Sequence, residues 1–354
     1  MATYEDFKGI AMAVDLQGSG YGTRNATIAA LSGSLDEDDG IIYGVRDAGT
    51  AESGITIPEF TPIVREVVAV GGSWTERADA FLRAAVNGFT VKWPVQGNGV
   101  TSTPSAGQAK PFVGPHALYT MAGLTGANGT SPVYEYTPTT SGISYGTIKF
   151  WLGDLSFVLA GCLAETLKLE ILPGGNVLAE AAVRVGYHDP SVDFADGVSF
   201  PTLDFGTWES MAAPVVEGDD VTYGTARGIN TGLITLAQSI EEWDDSSVPT
   251  TGKRLSKTRM LITFDGKYWV HTADSDFEYQ QLMLSTAPTE DMTVQIGAVA
   301  GATDTINAMK LELFNVQPKG LTYDRGGDVM LADVRGAKCT HPTTPGGEFK
   351  LTFN

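Results

Sequence analysis

The sequence predicts a mainly β protein: two tandem β-sandwich or barrel-like domains, each with one short α-helix packed on its sheet. Three observations predict this. Short runs alternate apolar with polar residues, glycine is abundant at 42 of 354 residues and marks turns between those runs, and several segments recur in the same order in the two halves. Hydrophobic residues make up 42% and charged residues 18%, an ordinary balance for a folded chain with a core.

Taken in order, the chain opens on Met1-Ala-Thr-Tyr-Glu-Asp-Phe-Lys8, which is acidic and polar and lacks the basic-then-apolar pattern of a signal peptide. No apolar run approaches a membrane span, so synthesis in a cytoplasm is expected. Gly18-Ser19-Gly20-Tyr21-Gly22 reads as a flexible segment, too short for a dinucleotide fingerprint and outside any β-α-β pattern. The first helix is expected at Arg77 to Val86. Phe81, Leu82, Ala85 and Val86 fall on one side, Asn87-Gly88 stops it, and Ser73 with Glu76 offers a capping box.

From about 96 to 144 the chain is rich in Gly, Pro, Ser and Thr with little periodicity, and it reads as an inserted loop. Strands follow wherever apolar and polar residues alternate: Thr147 to Leu152, Leu167 to Ile171, Val177 to Val185, Met260 to Phe264, Met292 to Ile296 and Phe349 to Phe353. Gly174-Gly175 signals a hairpin between two of them. A second helix is expected at Asp276 to Thr286, ended by Pro288.

The recurring segments set the domain limits. Tyr21-Gly-Thr23 returns as Tyr223-Gly-Thr225, Ser73-x-x-Glu76 as Ser275-x-x-Glu278, and Phe89-Thr-Val-Lys92 as Met292-Thr-Val-Gln295, at a nearly constant offset. Leu167-Lys-Leu-Glu-Ile171 matches Met309-Lys-Leu-Glu-Leu313 at a shorter offset, which places the first copy's surplus in 96–144. Gly174-Gly175-Asn-Val-Leu178 pairs with Gly326-Gly327-Asp-Val-Met330 after a longer connection in the second copy. The domains are therefore read as 1–200, carrying the inserted loop, and 201–354.

The residues offer little chemistry. Gly142-Ile-Ser144-Tyr-Gly146 fits the nucleophile-elbow pattern, but that motif requires a strand before the serine and a helix after it. Here a loop precedes and a strand-like run follows. His116, His188, His271 and His341 have no metal-binding spacing and read as solvated turn residues. Asp36-Glu-Asp-Asp39-Gly40 brings its glycine one residue too early for a calcium loop, and Arg46 stands where a glutamate ligand is needed. Cys162 and Cys339 lie far apart and read as small buried hydrophobes. Trp243-Asp244-Asp245 is the nearest thing to a sugar-binding platform. Asn25-Ala-Thr27 and Asn128-Gly-Thr130 are chance sequons. No catalytic, metal or cofactor residue is assigned, and no enzyme activity is expected. The net charge of −19 disfavours attraction to phosphate backbones or anionic membranes.

Several segments together resemble the major tail, or tail tube, proteins of long non-contractile-tailed bacteriophages. They are Gly20-Tyr-Gly-Thr23, Gly72-Ser-Trp74 leading to Ala80 through Val86, Gly161-Cys-Leu-Ala-Glu-Thr-Leu-Lys-Leu169 with the Gly174-Gly175 turn and an apolar strand to Gly186, Leu261-Ile-Thr-Phe-Asp-Gly266, and the closing Leu351-Thr-Phe353. The resemblance covers most of the chain except 96–144. It implies a virion protein whose domains form six-domain rings stacked into a hollow tube that conducts DNA. With two domains per chain, three chains complete a pseudo-hexameric ring. It further implies tape measure and tail terminator or tip proteins as partners, DNA passing the lumen without specific binding, and no membrane. The inserted loop is expected to reach a neighbouring subunit or ring. The alternatives are a baseplate hub or tail-decoration protein, or a carbohydrate-binding β-sandwich module.

Overall fold

The computed structural model describes residues 10–18, 23–42, 54–67, 78–95, 110–129, 133–139, 142–172, 177–187, 194–203, 220–223, 225–244, 253–269, 290–296, 309–317, 319–326, 329–340 and 346–353. The fold is mainly β. Its first part holds β1 (Ile10–Leu16), α1 (Ala26–Ala30), β2 (Ser34–Leu35), β3 (Phe60–Val67), β4 (Ala78–Val86), β5 (Phe89–Pro94), α2 (Val113–Met121), β6 (Leu124–Asn128) and β7 (Tyr134–Pro138). Then come β8 (Gly146–Leu152), β9 (Leu155–Ile171), β10 (Val177–Arg184), β11 (Phe194–Ala195) and β12 (Thr202–Leu203). The remainder holds β13 (Asp220–Tyr223), β14 (Thr225–Asp244), β15 (Lys253–Trp269), β16 (Glu290–Ile296), β17 (Met309–Val316), β18 (Gly320–Gly326), β19 (Val329–Lys338) and β20 (Phe349–Phe353).

Two long strands organise these elements because each serves two ladders. The first half of β9 pairs antiparallel with β8, while its second half lies between β10 and β14. The change falls at Gly161, whose φ of 63° is open to glycine, and Gly186 packs so close to the Gly161 carbonyl that a Cβ would sit 2.6 Å from its oxygen. One ladder therefore runs β5–β10–β9–β14–β15–β19–β18. The start of β14 pairs with β13, opening a second ladder, β13–β16–β17–β20–β7–β6. Backbone ladders thus cross residue 200 at β9–β14, at β20–β7 and at the short parallel pair β12–β2.

The core follows from the two-residue period. Leu167, Leu169 and Ile171 of β9 are fully buried, whereas Lys168 and Glu170 face outward and pair across strands with Glu180 at 2.7 Å and Lys92 at 3.2 Å. Next to the large residues of β5 and β9 the sequence places small ones. Ala179 stands between Trp93 and Leu169, and Ala181 between Val91 and Leu167, so the rings fill space that β10 leaves. Ile234 and Leu236 of β14, and Met309, Leu311 and Leu313 of β17, belong to the same buried cluster.

A buried cation fixes the short helix. Asn25 caps α1, accepting from the Thr27 amide at 2.9 Å, while Lys149 of β8 reaches the other end and donates to the carbonyls of Ala29 (2.9 Å) and Leu31 (2.8 Å). Its ammonium lies 5.2 Å from the Trp151 ring centre, and burial lowers its pKa.

The strands expected at 147–152, 167–171, 177–185, 260–264, 292–296 and 349–353 are present, and β9 and β10 are antiparallel neighbours as the Gly174-Gly175 signal requires. Two expectations are corrected. Arg77 to Val86 is no helix: Ala78–Val86 is strand β4, antiparallel to β3. A short, nearly continuous apolar run satisfies either period, and pairing with Phe60–Val67 decides it. The stretch 96–144 is not simply a loop, since it carries α2, β6 and β7. Both described helices fall before residue 200, and the helix expected at Asp276 to Thr286 lies outside the described residues.

The repeated segments occupy unequal places. β5 and β9 are separated by β10, yet their counterparts β16 and β17 are direct neighbours. The longer connection before Gly326-Gly327 is itself a strand, β18, pairing back onto β19. The matches at Tyr21 to Thr23 and at Ser73 and Ser275 fall wholly or partly outside the described residues.

Candidate functional site

Among the described residues, none of the motifs singled out for chemistry acquires a catalytic setting. Ser144 is exposed in the coil of 142–145, and the chain continues directly into strand β8, so the strained strand-to-helix turn is not formed. Its neighbour Tyr145 is structural, donating its hydroxyl to the Leu255 carbonyl at 2.7 Å. The acidic run forms a tight turn closed on itself: the Asp36 carboxylate accepts from the Asp38 amide and the Asp39 carboxylate from the Asp36 amide. Cys162 and Cys339 are buried free thiols, and desolvation pushes the Cys339 thiol up to about 12.

Asn25 spends its side-chain amide on Asp15 (3.0 Å) and the Leu16 carbonyl (2.9 Å), while Asn128 is exposed at the end of β6. Trp243 is 48% exposed near the end of β14, opposite Arg254. Residues 19–22 of the early glycine-rich segment, and His188, His271 and His341, lie outside the described residues. Among the described residues no group of three or more His, Cys, Asp or Glu is placed to hold a metal, and no helix is long and apolar enough to cross a membrane.

His116 is the exception to its expected setting. It is not a solvated turn residue but a half-buried member of α2, with Nδ1 2.7 Å from the Tyr136 hydroxyl. Around it Tyr119, Tyr134, Tyr136 and Phe353 form a continuous aromatic group, with Tyr119–Tyr136 and Tyr134–Tyr136 centroids each 5.2 Å apart. Trp93 joins at 6.0 Å from Tyr119. Burial raises the Tyr136 phenol well above its ordinary value and lowers His116 to about 4, with Lys110 adding to the latter.

The signal for α2 was present in the sequence. Gly114, Ala117, Leu118 and Met121 are its buried stripe at helical spacing, and Pro115 sits in the first turn, where its missing N–H costs nothing. The prevalence of Gly, Pro, Ser and Thr on either side concealed it.

The two long ladders each present a border. The outer side of β1 is covered by backbone bonds to Gly40 and Ile42, and that of β5 by bonds to Gly54 and Thr56. At the other ends β18 pairs only with β19 and β6 only with β7 among the described residues. Such borders offer rows of backbone donors and acceptors to another strand. Thr322 of β18 and Thr125 of β6 are exposed on them. Neither border strand carries a proline, and the sole cationic side chain in them is Arg325. No protein-family model matches the chain, and no curated protein matches it.

Proposed function

We propose that this chain is a structural virion subunit that assembles with copies of itself into stacked rings, forming the hollow tail tube through which phage DNA passes. The observation that carries the reading is that each of the two long ladders ends in a border strand that, among the described residues, has a single ladder partner, β18 at one end and β6 at the other. A heterologous contact joining unlike borders of successive copies repeats by rotation, and where that rotation divides a full turn it closes into a ring. Three chains with two tube domains each make the pseudo-hexameric ring. Tape measure and terminator or tip proteins bound the tube, and the assembled particle is its location.

The net charge of −19 supports passage without adhesion, since carboxylates along the lumen repel a phosphate backbone. The test combines negative-stain microscopy of the purified chain with lysine substitutions on the borders. Wild-type protein is expected to give rings or tubes of constant diameter. Thr322→Lys and Thr125→Lys are expected to leave a folded, unassembled chain, because a charge on an uncovered edge opposes further pairing. Wild-type protein that stays monomeric at high concentration, or border variants that assemble normally, would refute the proposal.

A further inference from the structure

The aromatic group at α2 contains the polar contact between His116 and Tyr136, and its chemistry determines which protonation state the fold accepts. The Tyr136 side chain is wholly buried, and among the described residues its hydroxyl meets only His116 Nδ1, at 2.7 Å. A buried hydroxyl without an acceptor is costly, so the hydroxyl donates and Nδ1 accepts, leaving the imidazole proton on Nε2. We propose that His116 and Tyr136 form an acid-sensitive latch, in which a neutral Nε2–H imidazole ties α2 to the β7–β20 end of the sheet and protonation at Nδ1 releases it.

The surroundings support release and not accommodation. From β7 the ring meets Tyr134 and Tyr136, and the same aromatic group contains Tyr119 of α2 and Phe353 of β20; none of these carries charge at neutral pH. The nearby charge is Lys110, ahead of α2, which repels an imidazolium. Strand alternation turns the carboxylate of β7 away: Tyr134 and Tyr136 face the cluster, while Glu135 between them faces the other side and pairs with Lys350 at 2.6 Å, and in the acidic turn packed against α2 the Asp36 and Asp39 carboxylates accept from their own backbone. A proton on Nδ1 therefore forces the Tyr136 hydroxyl to turn its own proton away from the acceptor it has among the described residues, and no described carboxylate is ion-paired with the ring to offset the charge. The depressed His116 pKa, near 4, agrees with this arrangement. The inference concerns the fold of the subunit and does not depend on what the chain assembles into.

The test is a pH titration of the full-length protein with 15N-labelled histidine, the His116 signal being assigned by its loss in His116→Asn. At neutral pH the expected result is an unprotonated Nδ1 and a protonated Nε2. The expected midpoint lies below about 5, against about 6.5 for a free histidine. Hydrogen exchange in 113–121 and 134–138 should accelerate across the same midpoint. Tyr136→Phe, which removes the donated proton but keeps the ring, should move the midpoint upward, a change that a purely space-filling role would not produce. His116→Asn retains an acceptor and should abolish the acid-triggered step. A midpoint at or above the free value, an Nδ1–H tautomer, an unchanged midpoint in Tyr136→Phe, or persistence of the step in His116→Asn would each overturn the latch.

Discussion

Replacing Phe353 by alanine tests whether the stretch 110–139 is built into the core. Phe353 is 3% exposed, and its ring lies 6.0 Å from Tyr119 and 6.1 Å from Tyr136, the second contact edge-on at 85°. Its strand is not a border, because β20 pairs with β17 on one side and β7 on the other. Truncation removes the transfer energy of the ring and leaves a cavity that paired backbone on both sides prevents from collapsing, a cost of roughly 3–5 kcal/mol. About 0.5–1.5 kcal/mol per ring pair is contained in that figure. Against a typical total of about 5–15 kcal/mol this is a large fraction. Urea unfolding followed by tryptophan fluorescence reads it, since Trp93 belongs to the same aromatic group. Hydrogen exchange should show α2, β6 and β7 losing protection before β9 and β10 do. A loss below about 1 kcal/mol, or unchanged protection in α2 and β7, would show that these elements do not depend on the C-terminal strand.

Two further outcomes follow from buried polar groups. With its folded pKa near 4 and a free value near 6.5, His116 binds fewer protons in the native than in the unfolded chain between those limits. Stability from this residue is fully present above pH 6.5 and is lost as pH falls toward 4, by about 2–3 kcal/mol after allowance for partial exposure. Urea midpoints measured from pH 7 to 4 should show this slope and lose it in His116→Asn. Gln238, 5% exposed, donates to the carbonyls of Met121 (3.0 Å) and Ala164 (2.6 Å) and so joins β14 to α2 and β9. Gln238→Leu strands both acceptors and should cost about 1–3 kcal/mol in the same assay; an unchanged midpoint would mean that water replaces the amide.

The strands were legible wherever one face meets the core and the other meets solvent. Leu167, Leu169 and Ile171 against Lys168 and Glu170 show that alternation in its plainest form, and its period survives whatever the tertiary partner is. Ala78–Val86 was not legible as a strand, because a run with few polar residues carries no phase and only its pairing with β3 decides it. α2 was hidden for a different reason. Its nine residues are too few to stand alone, and it exists because Gly114 lets the helix approach Gly40 and Ile42 so closely that a Cβ would lie 2.8 Å from the Gly40 oxygen and 2.6 Å from an Ile42 methyl. The aromatic group was illegible because its members come from β5, α2, β7 and β20, elements that nothing in local spacing brings together. The border strands were half legible, since the longer second connection was visible while its pairing onto β19 was not.

The division at 200/201 can be tested by expressing 1–200 and 201–354 separately. Cutting there removes β14 from the 166–171 edge of β9 and β20 from β7. The first fragment would then present an unpaired edge on a strand that carries the buried Leu167, Leu169 and Ile171, and Tyr136 and Tyr119 would lose the Phe353 ring that closes their group. A new edge on a hydrophobic strand is a site for pairing with other chains. The expected outcome is a first fragment that aggregates or lacks a cooperative transition alone, and recovers amide protection in β7 and β9 when co-expressed with the second. The placement of the matched segments points the same way, because β16 and β17 adjoin where β5 and β9 are parted by β10, and each half of the chain completes its ladders with strands from the other. A first fragment that is soluble, monomeric and cooperatively folded would show that the shared ladders add little, and that each half carries a sufficient core of its own.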